Sequence, residues 1–279
     1  MKPIYITDLD HTFLRTDQSV SDFSIQVWNQ KSEQAILSVA TARSFTKTHQ
    51  FLDKLHLDAP MILLDGSMVV SAKKELIDLK LINKALGDAI IEEGVKFGIY
   101  PFVIALKDMD LNEAFLFPTT LNSHQNGVLD NYKNDPRMQE CKEIKAMEMN
   151  LKLVYFGDFE TLQPLTEHLK QVFGNELEYK LSPEKYSDGY FLTILHPDGD
   201  KAHALQTVAE YLNRDLKDFT VFGDSINDLG MFEKAGKSIA VQNALEEVKE
   251  RADIVLPHTN DEDAVAKYLL TNRQLLFDD

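Results

Sequence analysis

Near each end of the chain a short apolar run empties straight into a pair of carboxylates, and no other feature restricts the fold as much. Ile4-Tyr5-Ile6 leads into Asp8-Leu9-Asp10-His11-Thr12, and Phe219-Thr220-Val221-Phe222 leads into Gly223-Asp224-Ser225-Ile226-Asn227-Asp228. Apolar runs of this length read as buried strands of a parallel sheet. In an open parallel sheet, ligands bind beyond the carboxyl ends of the strands. Asp8, Asp10 and Asp224 all fall at such ends, as does Thr41 after the apolar run 35–40, so residues far apart in sequence are expected to converge on one site.

The spacing of the rest agrees with a parallel α/β sheet. Residues 44–57 carry Phe45, Thr48, Phe51, Leu52 and Leu55 on one helical face, and 61–64 reads as the next strand. The last third repeats that alternation, with helices at 201–212, 226–235, 244–251 and 263–270 and strands at 219–222, 238–241 and 254–256. The middle differs. Helices at 84–97 and 161–173 are predicted among strands at 100–106, 114–117, 151–156, 177–181 and 190–195, the last returning to the core. The polar stretch 122–134 reads as a loop. The expected organisation is therefore a discontinuous α/β core at 1–81 and 190–279, a Rossmann-like parallel sheet, with an inserted α+β domain at 82–189.

Composition narrows the function classes. With 45 acidic against 29 basic residues the formal charge is −16, the opposite of the basic footprint that nucleic acid requires. A single cysteine, Cys141, excludes an intramolecular disulfide and suits a reducing compartment. No apolar stretch approaches the roughly 20 residues of a bilayer span, and Met1-Lys2-Pro3 leads into a strand, not a signal peptide. A cytoplasmic protein is expected, with a monomer as the default. Two carboxylates at one strand end repel each other. A divalent cation relieves that repulsion, and hard oxygen donors favour Mg²⁺. Asp8, Asp224 and a main-chain carbonyl would form part of its shell.

The strings D-L-D-H-T at 8–12, S-V-A-T-A-R at 38–43, H-P-D-G-D-K-A-H-A-L at 196–205 and G-D-S-I-N-D at 223–228 resemble the four motifs of the haloacid dehalogenase superfamily. More narrowly, they resemble its Cof-type phosphatases, which carry a large α/β cap after the third core strand. The similarity extends to 243–255 and 259–266; the inserted domain matches only in length and position. The resemblance implies a Mg²⁺-dependent hydrolase of a small phosphorylated metabolite, with the cap closing over the site. Asp8 would attack phosphorus and form an aspartyl-phosphate. Asp10 would protonate the leaving oxygen and then deprotonate water, its main-chain carbonyl ligating the metal. Thr41 and Lys201 would hold the phosphoryl group, and Asn227 would lie beside it. Asp224 would bind the metal, with Asp228 holding metal-bound water or Lys201 from behind. Arg43 is either a substrate contact or one half of an ion pair on the surface.

Three positions depart from the family pattern. His11 and Ala42 stand where glycine is usual, and Leu64-Asp65-Gly66-Ser67 replaces an N-G-A turn, which brings a third acid near the site. Plainer roles are expected elsewhere. Ser44 reads as a helix cap and Trp28 as core. Asp228 also suits the start of a helix. The histidines at 49, 56, 168, 196, 203 and 258 lack metal-ligand spacing. His124, Gln125, Asn126, Asp130, Lys133 and Arg137 read as a solvated polar stretch that a cap could turn toward a substrate. The rival functions are a phosphomutase of the same fold and a noncatalytic phospholigand-binding module. A D-x-D glycosyltransferase would leave Lys201 and 223–228 without a role.

Overall fold

Strand formation at the amino terminus follows from Ile4-Tyr5-Ile6, whose side chains are all buried and whose backbone pairs with a sheet neighbour on each edge. The computed structural model describes residues 1–130, 132–184 and 189–271. Along the chain come β1 (Ile4–Thr7), α1 (Asp22–Ser32), β2 (Ile36–Val39), α2 (Phe45–Leu52), β3 (Met61–Leu63), β4 (Met68–Val70) and β5 (Leu76–Leu79). Next are α3 (Lys84–Lys96), β6 (Phe102–Leu106), β7 (Glu113–Pro118), α4 (Ser123–Asp130), β8 (Met138–Cys141), β9 (Met149–Gly157), α5 (Phe159–Phe173), β10 (Glu178–Pro183) and β11 (Tyr190–Leu195). The chain continues through α6 (Lys201–Leu212), β12 (Phe219–Gly223), α7 (Leu229–Lys234), β13 (Lys237–Ala240), α8 (Glu246–Arg251), β14 (Ile254–Val255) and α9 (Ala264–Thr271).

Two compact units result, one from Met1–Leu79 together with the chain from Lys201 onward, the other from Lys80–Asp200. The first holds the parallel sheet β14-β13-β12-β1-β2, and a parallel bridge from Ala40 to Ile62 adds β3 beside β2. β3, β4 and β5 form an antiparallel three-stranded sheet of which the sequence reading identified only the first strand. Trp28 lies in this unit's core as expected. It is 1 % exposed, its ring is 4.9 Å from that of Phe13, and its indole N–H bonds the His56 carbonyl at 2.7 Å.

In the second unit the sheet runs β10-β11-β9-β6-β7-β8, antiparallel except for β7 with β8. Period-2 alternation divides its side chains between two cores. Val103, Ala105, Leu153 and Tyr155 face Ile90, Leu162, Leu165 and Leu169 of α3 and α5, while Phe102, Val154 and Phe156 face the other way, toward Val128 and Leu129. Three expectations are corrected here. Residues 190–195 do not return to the core sheet; β11 pairs antiparallel with both β10 and β9, contacts that an isolated apolar run does not reveal. Nor is 122–134 a loop throughout, since it contains α4. Two of its polar residues form a cap: Asn122 Oδ1 accepts the Gln125 N–H at 2.8 Å and Gln125 Oε1 accepts the Asn122 N–H at 3.2 Å. Arg137 is likewise no solvated group. It is buried between Glu113 at 2.6 Å and Asp135 at 2.7 Å, which raise its pKa against the opposing effect of burial. Among the described residues no helix is long and apolar enough to cross a membrane.

Candidate active site

Parallel register brings the motif residues together. β1 lies between β2 and β12, with Thr7 opposite Val39 on one side and Phe222 on the other. The ladder continues one step, through Asp8 N–H to the Phe222 carbonyl at 3.0 Å and Ala40 N–H to the Thr7 carbonyl at 2.9 Å. Asp8, Thr41 and Asp224 therefore emerge from three adjoining strand ends, and all three are buried.

Lys201, the first residue of α6, supplies the compensating cation. A positive charge is unfavourable at a helix amino terminus, yet its side chain is wholly buried, with Nζ 2.6 Å from Asp8 Oδ1 and 2.7 Å from Asp228 Oδ1. Burial alone would lower the lysine pKa; Asp228 and Asp8 outweigh it and raise the value. The second oxygen of Asp228 accepts the N–H groups of Asp224 at 2.9 Å and Ser225 at 3.1 Å. Asp228 thus anchors Lys201 and also tethers the turn before α7. Gly223 makes room for it, because a Cβ there would stand 2.5 Å from the Asp228 side chain. Gly223→Ala is expected to push Asp228 off Lys201 and cost about 1–3 kcal/mol, the usual range for overpacking, measurable by denaturant unfolding.

Burial raises the Asp8 pKa well above the ordinary carboxylate range; Lys201 opposes that shift, and Asp228, Asp224 and Asp10 add to it. Carboxylate oxygens of Asp8, Asp224 and Asp228 lie within 4.8 Å of one another. Three buried carboxylates crowd together here beside one ammonium, and the donors are all hard oxygens. That set fits a divalent cation of the Mg²⁺ class.

The loop between these groups is folded tightly. The Leu14 N–H closes a wide turn onto the Leu9 carbonyl at 2.7 Å, and His11 takes φ 56°, the left-handed geometry that glycine favours. The backbone shape therefore survives the substitution. Ala42 is not among the positive-φ residues, so its β-carbon is accommodated without strain there. Thr12 Oγ1 donates to Asp224 Oδ1 at 2.9 Å. That orienting role had no assignment from sequence, although Thr12 stood in the motif. Asn243 Nδ2 donates to the His11 carbonyl at 2.8 Å, a contact without any local signal.

Other expected site residues turn to one another. Arg43 pairs with Asp10: Nε and Nη2 reach Asp10 Oδ2 and Oδ1 at 2.7 and 2.5 Å, Nη2 also reaches Gln18 Oε1 at 3.0 Å, and the guanidinium lies 4.7 Å from the Phe51 ring centre. The Thr41 hydroxyl oxygen accepts the Arg43 N–H at 3.1 Å. Asn227 Nδ2 donates to Asp65 Oδ1 at 2.9 Å. Ser44 caps α2 as read, accepting the Lys47 N–H at 3.4 Å.

Residues 5–269 match the model of a family described as haloacid dehalogenase-like hydrolase. The chain is 27 % identical to a 5-amino-6-(5-phospho-D-ribitylamino)uracil phosphatase of Bacillus subtilis, over 96 % of this chain and 97 % of that one. It is 23 % identical to an HMP-PP phosphatase of Cronobacter sakazakii, over 85 % of this chain and 83 % of the relative. Among solved structures, a haloacid dehalogenase-like hydrolase from Bacteroides thetaiotaomicron shares the fold with a TM-score of 0.78 at 19 % identity, over 97 % of this chain and 99 % of that one.

Proposed function

The chain belongs to the haloacid dehalogenase-like hydrolases, and from that premise we propose that it is a Mg²⁺-dependent phosphatase of a small phosphomonoester, a sugar phosphate or similar metabolite, working through an aspartyl-phosphate on Asp8. The observation that carries this reading is Lys201, sealed between Asp8 and Asp228 beside Asp224 at neighbouring strand ends. A divalent cation would be held by Asp8, Asp224 and the Asp10 main-chain carbonyl, and it would supply the positive charge that lets a carboxylate approach a phosphate.

Asp8 forms its O–P bond as the ester P–O bond breaks, and Asp10 delivers a proton to the leaving oxygen. Water then attacks phosphorus, Asp10 takes up a proton, and the Asp8 O–P bond breaks to release inorganic phosphate. Lys201 stabilises the charge on Asp8 and the phosphoryl oxygens throughout, and Thr41 and Asn227 bind those oxygens. Both Asp10 oxygens rest on Arg43, so proton transfer requires that pair to open when substrate arrives. Asp228 keeps Lys201 in place. The phosphatase names of the relatives support the reaction class.

The test is phosphate release from a panel of sugar phosphates, nucleotides and cofactor phosphates, with Mg²⁺ or with EDTA. Release that requires Mg²⁺ is expected, and the ranking identifies the substrate class. Folded, Mg²⁺-loaded protein that releases nothing would instead favour a mutase or a binding module. Phosphoryl return to a sugar in the presence of a bisphosphate would separate those two.

A further inference from the structure

A second recess opens at the opposite end of the parallel sheet, where β1, β12 and β13 begin. Its volume is about 470 Å³, within the roughly 300–1,000 Å³ of small-molecule sites. Phe219 lines it, and Asp224 follows five residues later at the far end of β12, about 16 Å away at the usual strand rise. Two lysines belong to its lining. Lys217 lies in the turn before β12 and Lys237 opens β13. Gly236 brings their backbones together: its N–H bonds the Leu216 carbonyl at 3.0 Å, and a Cβ on it would overlap the Lys217 carbonyl. Both lysines are exposed, and neither joins an ion pair among the described residues. Lys237 reaches Asp253 only through the longer-range field that helps lower that carboxyl's pKa. Arg214, the third cation, is already paired, with Asp218 at 2.8 Å and the Lys2 carbonyl at 3.1 Å. Tyr5 also lines the recess. It is only 4 % exposed, and its hydroxyl has no hydrogen-bond partner among the described residues, although buried hydroxyls are ordinarily bonded. Burial pushes its pKa up, and the neighbouring Tyr268 adds to the rise.

We propose that this recess is a second ligand site, for a small metabolite with a planar ring and an oxyanion, either phosphate or carboxylate. It stands apart from the catalytic site and does not depend on the phosphatase reading. The chain as a whole is strongly acidic, with a formal charge of −16, yet two unpaired cations meet here on touching backbones. Like charges repel, and an anion shared between them removes the repulsion and gains charge-assisted hydrogen bonds. Exposed lysines alone would hold it weakly, because water competes. The recess supplies the rest: Tyr5, Phe219 and Tyr268 offer aromatic walls for a ring, and the Tyr5 hydroxyl offers a hydrogen bond. Tyr268 lies in the last turn of α9, where the helix dipole is negative. The oxyanion therefore belongs on the lysine side and the ring against the tyrosines.

The experiment titrates the full chain in EDTA by isothermal calorimetry with two matched pairs, AMP against adenosine and nicotinate against nicotinamide. Within each pair the oxyanion is the difference. At least one anion is expected to bind about tenfold or more tightly than its neutral partner, and the pair that responds separates phosphate from carboxylate recognition. Lys217→Ala combined with Lys237→Ala should weaken that anion about tenfold or more and leave p-nitrophenyl phosphate turnover with Mg²⁺ as it is in wild type. Both residues are exposed, so the variant is expected to fold. Tyr5→Phe removes only the hydroxyl. It should weaken binding several-fold and leave Tm unchanged or higher, whereas loss of a structural hydrogen bond would lower it. Wild type that binds neither anion, or binds each neutral partner as tightly, overturns the inference. So does a double-lysine variant that binds as wild type does.

Discussion

Asp8→Asn should abolish phosphate release, by roughly 10⁴-fold or more as for other lost nucleophiles, while the protein stays folded and, without metal, becomes more stable at neutral pH. The activity loss follows from replacing an anionic nucleophile with a neutral amide of the same shape. The stability gain follows from the raised Asp8 pKa, whose leading cause is burial. A carboxyl whose folded-state pKa exceeds its unfolded value binds more protons when folded, so stability falls as pH rises from about the unfolded value of 3.8 through the folded one. Asparagine carries no such penalty. The difference in melting temperature between variant and wild type should therefore grow as pH rises from about 4. Mg²⁺ should reverse it, because a cation that binds only the folded wild-type site stabilises wild type more. Thermal melts across pH, with EDTA or Mg²⁺, measure both effects. A variant that melts below wild type at neutral pH in EDTA would mean that Lys201 more than repays the burial of Asp8.

Asp8, Thr41 and Asp224 were legible in the sequence because each follows an apolar run of strand length, where local periodicity fixes position, whereas the roles of Lys201 and Asp228 were implied by the resemblance of 196–205 and 223–228 to the family motifs. Parallel pairing then does the rest, since three neighbouring strands deliver their next residues to one place. The contacts of Arg43 and Asp65 were not legible. Whether Arg43 meets a substrate or Asp10 depends on how two loops fold back, and the bond from Asn227 to Asp65 joins chain segments separated by two intervening strands. The inserted unit was harder for a similar reason. An apolar run such as 190–195 announces a strand but not the sheet that receives it, and β11 was drawn into the second sheet by pairing on both edges. In 122–134 two of the polar residues that suggested a loop, Asn122 and Gln125, cap α4, while Val128 and Leu129 pack on the cluster of Phe102 and Phe115.

Lys201→Met should be the most destabilising substitution in the site, costing about 3–5 kcal/mol in metal-free protein, because it leaves buried carboxylates without their partner. The wild-type ammonium touches both Asp8 and Asp228 and is wholly buried, so water cannot replace it. Its pH signature differs from that of Asp8. A lysine whose pKa is raised on folding contributes stability that is complete below its unfolded value of about 10.4 and is lost only above that. Lys201 therefore stays charged through the neutral range, acting as a fixed electrostatic group and not as a proton carrier, and the acid limb of any pH–rate profile must come from the carboxylates. In the variant the stability deficit should shrink on acidification, as Asp8 takes up the proton that its burial already favours. Lys201→Met combined with Asp228→Asn should recover a large part of the lost stability, since it removes one of the stranded charges, yet recover none of the activity, since phosphoryl charge still lacks its cation. Denaturant unfolding of the two single variants and the double variant gives the coupling between the residues. Additive effects would show that Asp228 does not need Lys201, and that its hydrogen bonds from Asp224 and Ser225 alone account for its burial.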